Sequence, residues 1–421
     1  MTATTNPRCK ALDRQGLQAL ADWLAVAVAV SLPWSTTATG ILVALWLFAV
    51  LPTLDVAAVK RELATAAGGL PVLLWALAAL GMLWADASWH ERLDGFGPFN
   101  RLLVIPMLLA QFRRSEHGMR VLFGFLASAS GVLLLSWLLV AFPSLPWHTS
   151  QPGVPVKDYI LQSGDFLICA FILFAIAFDK IASDKARAGS WGPIAGLLAL
   201  AVLFLANIAL VATGRTSLAV APVLAVLLGW RQFRWPGAFA AVIVFGIIGA
   251  AAAWESPYLH ARLSTSLAEF HAFETNDAVN STSLHLDFLK EALSFVVTAP
   301  IIGHGTGTIA EQFRAAAAGE TGAAGVLSVN PHNQILAVAI QLGFVGAAVL
   351  VAMWVAHVML FRGAGLTAWI GTVVVVSNVV SSLFNSHLFD FTQAWLYIFG
   401  VGVAGGMVLR GRVHETDQVA A

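Results

Sequence analysis

The sequence predicts an all-α polytopic membrane protein of about 12 transmembrane helices, with one large extra-membrane segment containing short amphipathic helices. Three observations carry that expectation. Of 421 residues, 58% are hydrophobic and only 11% are charged, which is more apolar surface than a soluble domain can bury. The apolar residues fall into runs of about the 17–25 residues that a helix needs to cross a bilayer. The basic residues are shared unevenly between two sets of connecting loops. The formal net charge of zero says nothing of partners; no nucleic-acid partner is expected of such a membrane protein. Cys9 lies in a polar tail and Cys169 in an apolar run, so neither a disulfide nor a thiolate metal site is expected.

In chain order, the first two spans are Leu17–Trp34 and Thr37–Leu54. The first follows a polar tail without a convincing cleavage site and reads as a retained helix. Gly69–Trp84 and Phe99–Phe112 follow, the latter with Arg101 near one end. Then come Arg120–Phe142, Tyr159–Phe178, Gly192–Thr213, Thr216–Trp230 and Ala238–Trp254. These nine form an N-terminal transmembrane block, residues 1–254. A long polar segment occupies 255–331, and a C-terminal block fills 332–421 with spans His332–Leu360, Gly365–Phe384 and Phe391–Leu409. His332–Leu360 is too long for one straight crossing, and Gly343 and Gly346 mark an expected break.

Sixteen of the 23 Lys and Arg residues fall on one side of this arrangement, which makes that side cytoplasmic. Both termini are then inside, and 255–331 is periplasmic. Within that segment, Leu284, Phe288, Leu289, Ala292, Phe295 and Val296 repeat at helical spacing, predicting an amphipathic helix over Ser283–Val297 at the membrane surface. A second short helix is expected over Glu311–Ala318. Eight acidic residues against three basic ones exclude a polybasic lipid clamp, so an anion site there must use a few placed arginines. Gly303, Gly305 and Gly307 lie in a glycine-rich bend. With no strand before it, this is not a phosphate-binding P-loop, and a tight turn is the favoured reading over ligand contact. No acidic cluster suggests a metal.

Two polar features stand out against the apolar background. Asn330-Pro331-His332-Asn333-Gln334 opens an apolar helix, with Pro331 suited to a helix start and His332 expected in the first turn. His332 is either a helix cap or a proton acceptor, since imidazole exchanges protons near neutral pH. Arg215 sits in the short Gly214-Arg215 turn between two spans. A cation at that depth signals function more than snorkelling to headgroups. Arg101 opens another span from the same side, and Lys157-Asp158 precedes a third, where a local ion pair is the simplest reading.

The Pro300-x-x-Gly303-x-Gly305 bend, His332-Asn333 with Leu336, and the Gly343-Phe344-Val345-Gly346 break together resemble the O-antigen ligase and polymerase superfamily. So does the Gly214-Arg215-Thr216-Ser217 turn. Val154–Ile160 with Gln162 and Ser163 is similar to the ligase branch. The resemblance implies an enzyme of the bacterial inner membrane. It would transfer polysaccharide from undecaprenyl diphosphate to a sugar hydroxyl of lipid A–core at the periplasmic face, without metal or other cofactor. It implies His332 and Arg215 as catalytic residues. Substrate binding would fall to Arg101, Lys157, Gln162, Arg262, His285, Gly303, Gly305 and Asn333. His285 is a departure, because the family often has arginine there, and Arg262 or Lys290 would have to compensate. The chemistry agrees with the assignment. Guanidinium groups pair with phosphate oxygens, and an imidazole can deprotonate the attacking hydroxyl. Rival readings are a repeat-unit polymerase, a protein O-glycosyltransferase using the same donor, and a lipid flippase. The flippase would need no base, and no inverted repeat is visible.

Overall fold

A computed structural model describes residues 14–147, 149, 151–183, 191–255, 281–318 and 330–420, without the side chains of 249–255, 281–287 and 413–420. Short polar side chains start several helices by accepting the free N–H groups of the first turn. Helix α1 is Arg14–Ser31, and Ser35 caps α2, Thr36–Val50. Asp55 caps α3, Val56–Leu63, and Thr65 caps α4, Ala66–Gly81. Helices α3 and α4 meet at a bend of 85°. A reciprocal Ser88–Glu91 capping box starts α5, Trp89–Asn100. A 3-10 turn, Arg101–Leu103, then leads into α6, Val104–Phe112. Next come α7, Gly118–Ala141, and α8, Tyr159–Ala182, the latter capped by Asp158. Helix α9 is Trp191–Leu210 and α10 is Arg215–Glu255. The remaining helices are α11, Ser281–Thr298; α12, Ile309–Ala316; α13, Gln334–Leu360; α14, Leu366–Ser381; and α15, Phe391–Ala420.

Every described element is helical, and the chain is a polytopic membrane protein. Among the described residues, seven helices are long and apolar enough to cross a membrane, or eight if the bent α3–α4 pair is one span. The sequence expectation of twelve counted further elements. The run Phe99–Phe112 is the apolar half of an unbroken helical stretch whose other half, α5, is polar. Helix α14 is apolar but has only 16 residues. Helix α10 passes as one span, yet Arg234 within it has φ +58°. A Cβ on Gly229 would lie 2.3 Å from the Gly237 carbonyl. Eight residues of straight helix would separate those positions by about 12 Å. The chain therefore folds back there, as the separate spans Thr216–Trp230 and Ala238–Trp254 anticipated.

The packing is graded. In the most apolar stretches of α8 and α15, 72% of the residues are buried, against 28% in those of α9 and α10. Helix α15 packs on α6 and α14, and α8 packs on α9, α10 and α14. This centre is stitched by satisfied polar pairs, including His357 Nδ1 with the Tyr397 hydroxyl at 2.6 Å and Trp46 Nε1 donating to Gln111 Oε1 at 3.0 Å. Such pairing is what a buried polar group requires.

Helix α13 breaks at Gly343, whose φ of +62° only glycine adopts without strain. The break frees carbonyls before it and N–H groups after it, and the 300–305 bend satisfies both sets. Phe344 and Val345 donate to the Pro300 and Ile301 carbonyls at 2.7 and 3.2 Å, and His304 and Gly305 donate to those of Ile340 and Gln341 at 2.8 and 2.9 Å. Non-helical backbone at membrane depth persists only where protein satisfies it in this way. The sequence revealed the bend and the break separately, but not that each completes the other.

The amphipathic helix is present, but its expected membrane face is covered by protein. Phe288, Ala292, Phe295 and Val296 are buried against Phe313 of α12 and Ala339, Ile340 and Ala347 of α13. Arg314 of α12 pairs with Glu91 of α5 at 2.6 Å.

Candidate functional site

A cleft of about 450 Å³ lies where the starts of α10 and α13 meet α11. Arg215, Thr216, His332 and Asn333 form its polar part, and Ala219, Leu289, Leu383 and Phe384 its apolar walls. Arg215 and His332, 117 positions apart in the sequence, thus face one space.

The local structure around His332 differs from the sequence expectation. Helix α13 begins at Gln334, not at Pro331, and Asn333 is its cap. Asn333 Oδ1 accepts from Ile335 N and Leu336 N at 2.9 and 3.1 Å, and its amide donates to the Leu383 carbonyl at 3.3 Å. His332 therefore precedes the helix and does not cap it. Its backbone is left-handed, φ +50°, a conformation that is uncommon for a residue with a Cβ. The His332 N–H donates to Asn330 Oδ1 at 2.9 Å. Its ring lies nearly parallel to Phe288, 6.2 Å between centroids.

The Arg215 turn is pinned from behind. A Cβ on Gly214 would lie 2.1 Å from Ser163 Oγ, and Ser217 Oγ donates to that same hydroxyl at 2.9 Å. Arg215 is the first residue of α10 and is exposed. Among the described residues it has no hydrogen-bond or ion-pair partner. A cation at the positive end of a helix gains nothing from the helix dipole. Free N–H groups and an unpaired guanidinium together favour an anion in the cleft.

A loop that the sequence reading did not single out holds the other wall. Between α14 and α15, Ser386 Oγ donates to Asn330 Oδ1 at 2.8 Å, and Asn330 Nδ2 donates to Asn385 Oδ1 at 3.0 Å. Gln334 binds the same loop through both ends: its N–H donates to the Ser382 carbonyl and its Oε1 accepts from Leu388 N. His387 Nδ1 pairs with Asp390 Oδ2 at 3.0 Å. The Asn-Ser-His-x-x-Asp pattern after an apolar run was the available signal, because such polar density is costly beside a membrane.

Several residues expected to bind substrate are engaged elsewhere. Arg101 donates to the Phe389 and Asp390 carbonyls at 3.3 and 2.9 Å and lies over the Phe391 ring, so it clamps the loop. Lys157 Nζ donates to the Leu32 carbonyl and, at 3.0 Å, to Thr392 Oγ1, while Asp158 caps α8. The two do not form the local ion pair that was expected. Burial pushes the Lys157 ammonium below its ordinary value, with Asp165 and Asp158 opposing. Gln162 is buried and donates to Asn207 Oδ1, Ser136 Oγ and the Gly153 carbonyl. Gly303 and Gly305 have φ of +70° and +99°, and their N–H groups donate to the Ala299 and Gln341 carbonyls. They line no part of the cleft. His304 Nε2 contacts the Phe295 carbonyl at 2.8 Å at the end of α11. Arg262 lies outside the described residues, and the His285 side chain is likewise not described, although its backbone is in α11. Among the described residues no group of His, Cys, Asp and Glu could hold a metal.

No curated protein matches the chain. A family model described as O-antigen ligase matches residues 199–351. That stretch runs from α9 through the Arg215 turn and His332 to beyond the α13 break. The cleft's guanidinium and imidazole both fall inside it, so over this stretch, about a third of its length, the chain is similar to the O-antigen ligase family.

Proposed function

We propose that the protein is an O-antigen ligase of the bacterial inner membrane, with the cleft on the periplasmic side and both termini in the cytoplasm. It moves polysaccharide from undecaprenyl diphosphate to a sugar hydroxyl of lipid A–core. The observation that carries the reading is one cleft lined by an arginine that has no partner among the described residues and by a histidine relieved of helix capping.

The acceptor hydroxyl oxygen attacks the anomeric carbon of the donor sugar. The bond from that carbon to the diphosphate oxygen breaks, and its electron pair leaves with undecaprenyl diphosphate. His332 takes the hydroxyl proton, a role typically worth 10²–10⁴-fold. Arg215 and the first N–H groups of α10 neutralise the charge growing on the leaving diphosphate. One displacement inverts the anomeric configuration. The Asn330 and Asn385 amides and the Arg101 clamp hold the elbow and loop that aim the base. The apolar walls suit substrates that arrive on lipid.

The test is the lipid product formed in a strain lacking its own ligase. Polysaccharide joined to lipid A–core is expected. Longer chains still on the carrier lipid would instead identify a polymerase.

A further inference from the structure

Cations also converge at the end of the molecule away from the cleft. Arg410 donates to the Ser115 carbonyl at 3.0 Å, and Arg412 to that of Leu360 at 2.8 Å. Leu360 ends α13, whose opposite end opens on the cleft, so the 113–115 segment lies at the far end of the bundle. Arg14 Nη2 and Arg114 Nη1 both donate to one acceptor there, the Thr53 carbonyl, at 3.0 and 3.4 Å. Nearby, Arg61 Nε and Arg113 Nη1 share Glu62 Oε1, each at 3.1 Å. Among the described residues, Arg14 and Arg114 have no carboxylate partner. Burial, and then the neighbouring Arg14, push the Arg114 guanidinium below its ordinary value. One carbonyl dipole offsets two guanidinium charges only in part, so the pair favours an anion.

We propose that this corner seats an anionic phospholipid with a hydroxylated headgroup, of the phosphatidylglycerol kind. Guanidinium forks match the oxygens of its phosphodiester. Helix α3 turns 85° away from α4, so where α4 enters the membrane α3 lies along its surface, at headgroup level. Leu51 and Val56, on either side of the Thr53 carbonyl, are exposed, as acyl chains alongside would cover them. Beneath Arg114 and Thr53 a cavity of about 80 Å³ is lined by Gln18, Asp22, Gln111 and Ser115. Asp22 Oδ2 is taken up by Ser115 Oγ and His117 Nδ1, at 2.6 and 3.0 Å. Its Oδ1 accepts from Gln111 Nε2 at 2.8 Å and has capacity for a second donor. A carboxylate there repels a second phosphate and accepts from a hydroxyl, which fits a glycerol headgroup and not a phosphomonoester. On the orientation proposed above the corner faces the cytoplasmic leaflet, but the binding depends neither on that orientation nor on the transfer reaction.

The test is native mass spectrometry of the full-length protein in detergent. The probes are phosphatidylglycerol, phosphatidylcholine with the same acyl chains, and inorganic phosphate. Wild-type protein is expected to prefer phosphatidylglycerol to phosphatidylcholine, and Arg14→Gln with Arg114→Gln to bind it about tenfold more weakly. Arg362→Gln removes an exposed cation from the same end of the molecule, outside the cluster, and should bind as the wild type does. Where the double variant fails to fold, Arg14→Gln alone is read, at an exposed position, with a smaller loss expected. Unchanged binding by the arginine variants would overturn the site. An equal loss in Arg362→Gln would do the same, leaving only diffuse charge attraction. So would equal binding of phosphatidylcholine, and displacement of the lipid by an equal concentration of inorganic phosphate would make this a free-anion site. The polysaccharide product is a separate readout, so either reading can fail without the other.

Discussion

Two irregular segments meet the same helix, α13, and use their polar groups in opposite ways. The 303–307 bend spends its groups internally. The N–H groups of Gly303, His304, Gly305, Thr306 and Gly307 all donate to protein acceptors, Gly307 reaching Gln341 Oε1 at 2.8 Å. The 330–334 elbow, by contrast, ties down its flanks and lines the cleft with the His332 ring, opposite an arginine that has no partner among the described residues. Both segments look alike in the sequence, each a knot of polar and small residues beside an apolar run. The difference teaches that a polar segment at a membrane edge is structural when its donors are spent on the protein. It is a functional candidate when a charge beside it is not.

The comparison can be broken most severely at the cleft. His332→Ala is expected to lower polysaccharide transfer by roughly 10²–10⁴-fold, and Arg215→Ala by about 10²–10³-fold. Arg215→Lys should remain poor, because an ammonium cannot bind two phosphate oxygens as a fork. Both proteins should be made and melt normally, since neither side chain is buried. Normal transfer by Arg215→Ala at normal protein levels would reduce that residue to a surface cation.

A smaller effect, on stability instead of chemistry, is expected at the bend. Gly305 has φ +99°, and a Cβ there would lie 2.4 Å from Ala85 Cα. Gly305→Ala should cost roughly 1–3 kcal/mol, read as a lower melting temperature in detergent. Transfer per folded molecule should change little. A fall in donor binding without a change in melting would mean that the bend contacts substrate.

The smallest effect is expected at the clasp between α5 and α12. Hydrogen bonds from Arg314, then from Ser88, hold the Glu91 carboxyl down at about 2, against 4.5 for a free glutamate. A depressed folded value means that the clasp contributes fully above about 4.5 and is lost as pH falls through about 2. It is thus constant over the range in which an imidazole titrates. Glu91→Gln should leave the shape of the transfer–pH profile between pH 5.5 and 8 unchanged. A shifted profile would assign the pH dependence to the clasp and not to the cleft.

Much of this was legible in the sequence because hydropathy and capping act locally. The apolar runs gave the helix class, Gly343 gave the break, and the spacing of Phe288, Ala292 and Phe295 gave α11. The pairing of Arg215 with His332 was suggested by chemistry, but their shared cleft depends on how α10 and α13 pack, which no local pattern encodes. The same limit explains Arg101 and Lys157. Each is a cation at a helix start by sequence, and only tertiary contacts with the Asp390 carbonyl and Thr392 give it a partner. Asn385, Ser386 and His387 were passed over because loop residues gain meaning from what they touch, and Asn330 lies 55 positions away from Asn385.

The central claim is that His332 is a base and not a scaffold. Since Asn333 already caps α13, replacing His332 with another polar, turn-tolerant residue removes the proton acceptor and the ring contact with Phe288 but leaves the cap. The decisive measurement is therefore His332→Asn, assayed in detergent for undecaprenyl-diphosphate-linked donor binding and for transfer across pH 5.5–8. Donor affinity within about twofold of the wild type, with transfer lost at every pH, is expected. The wild-type rate should meanwhile fall as pH drops through the imidazole range, because imidazolium cannot accept a proton. Near-normal transfer by His332→Asn would contradict the account and move the search for the base to another group.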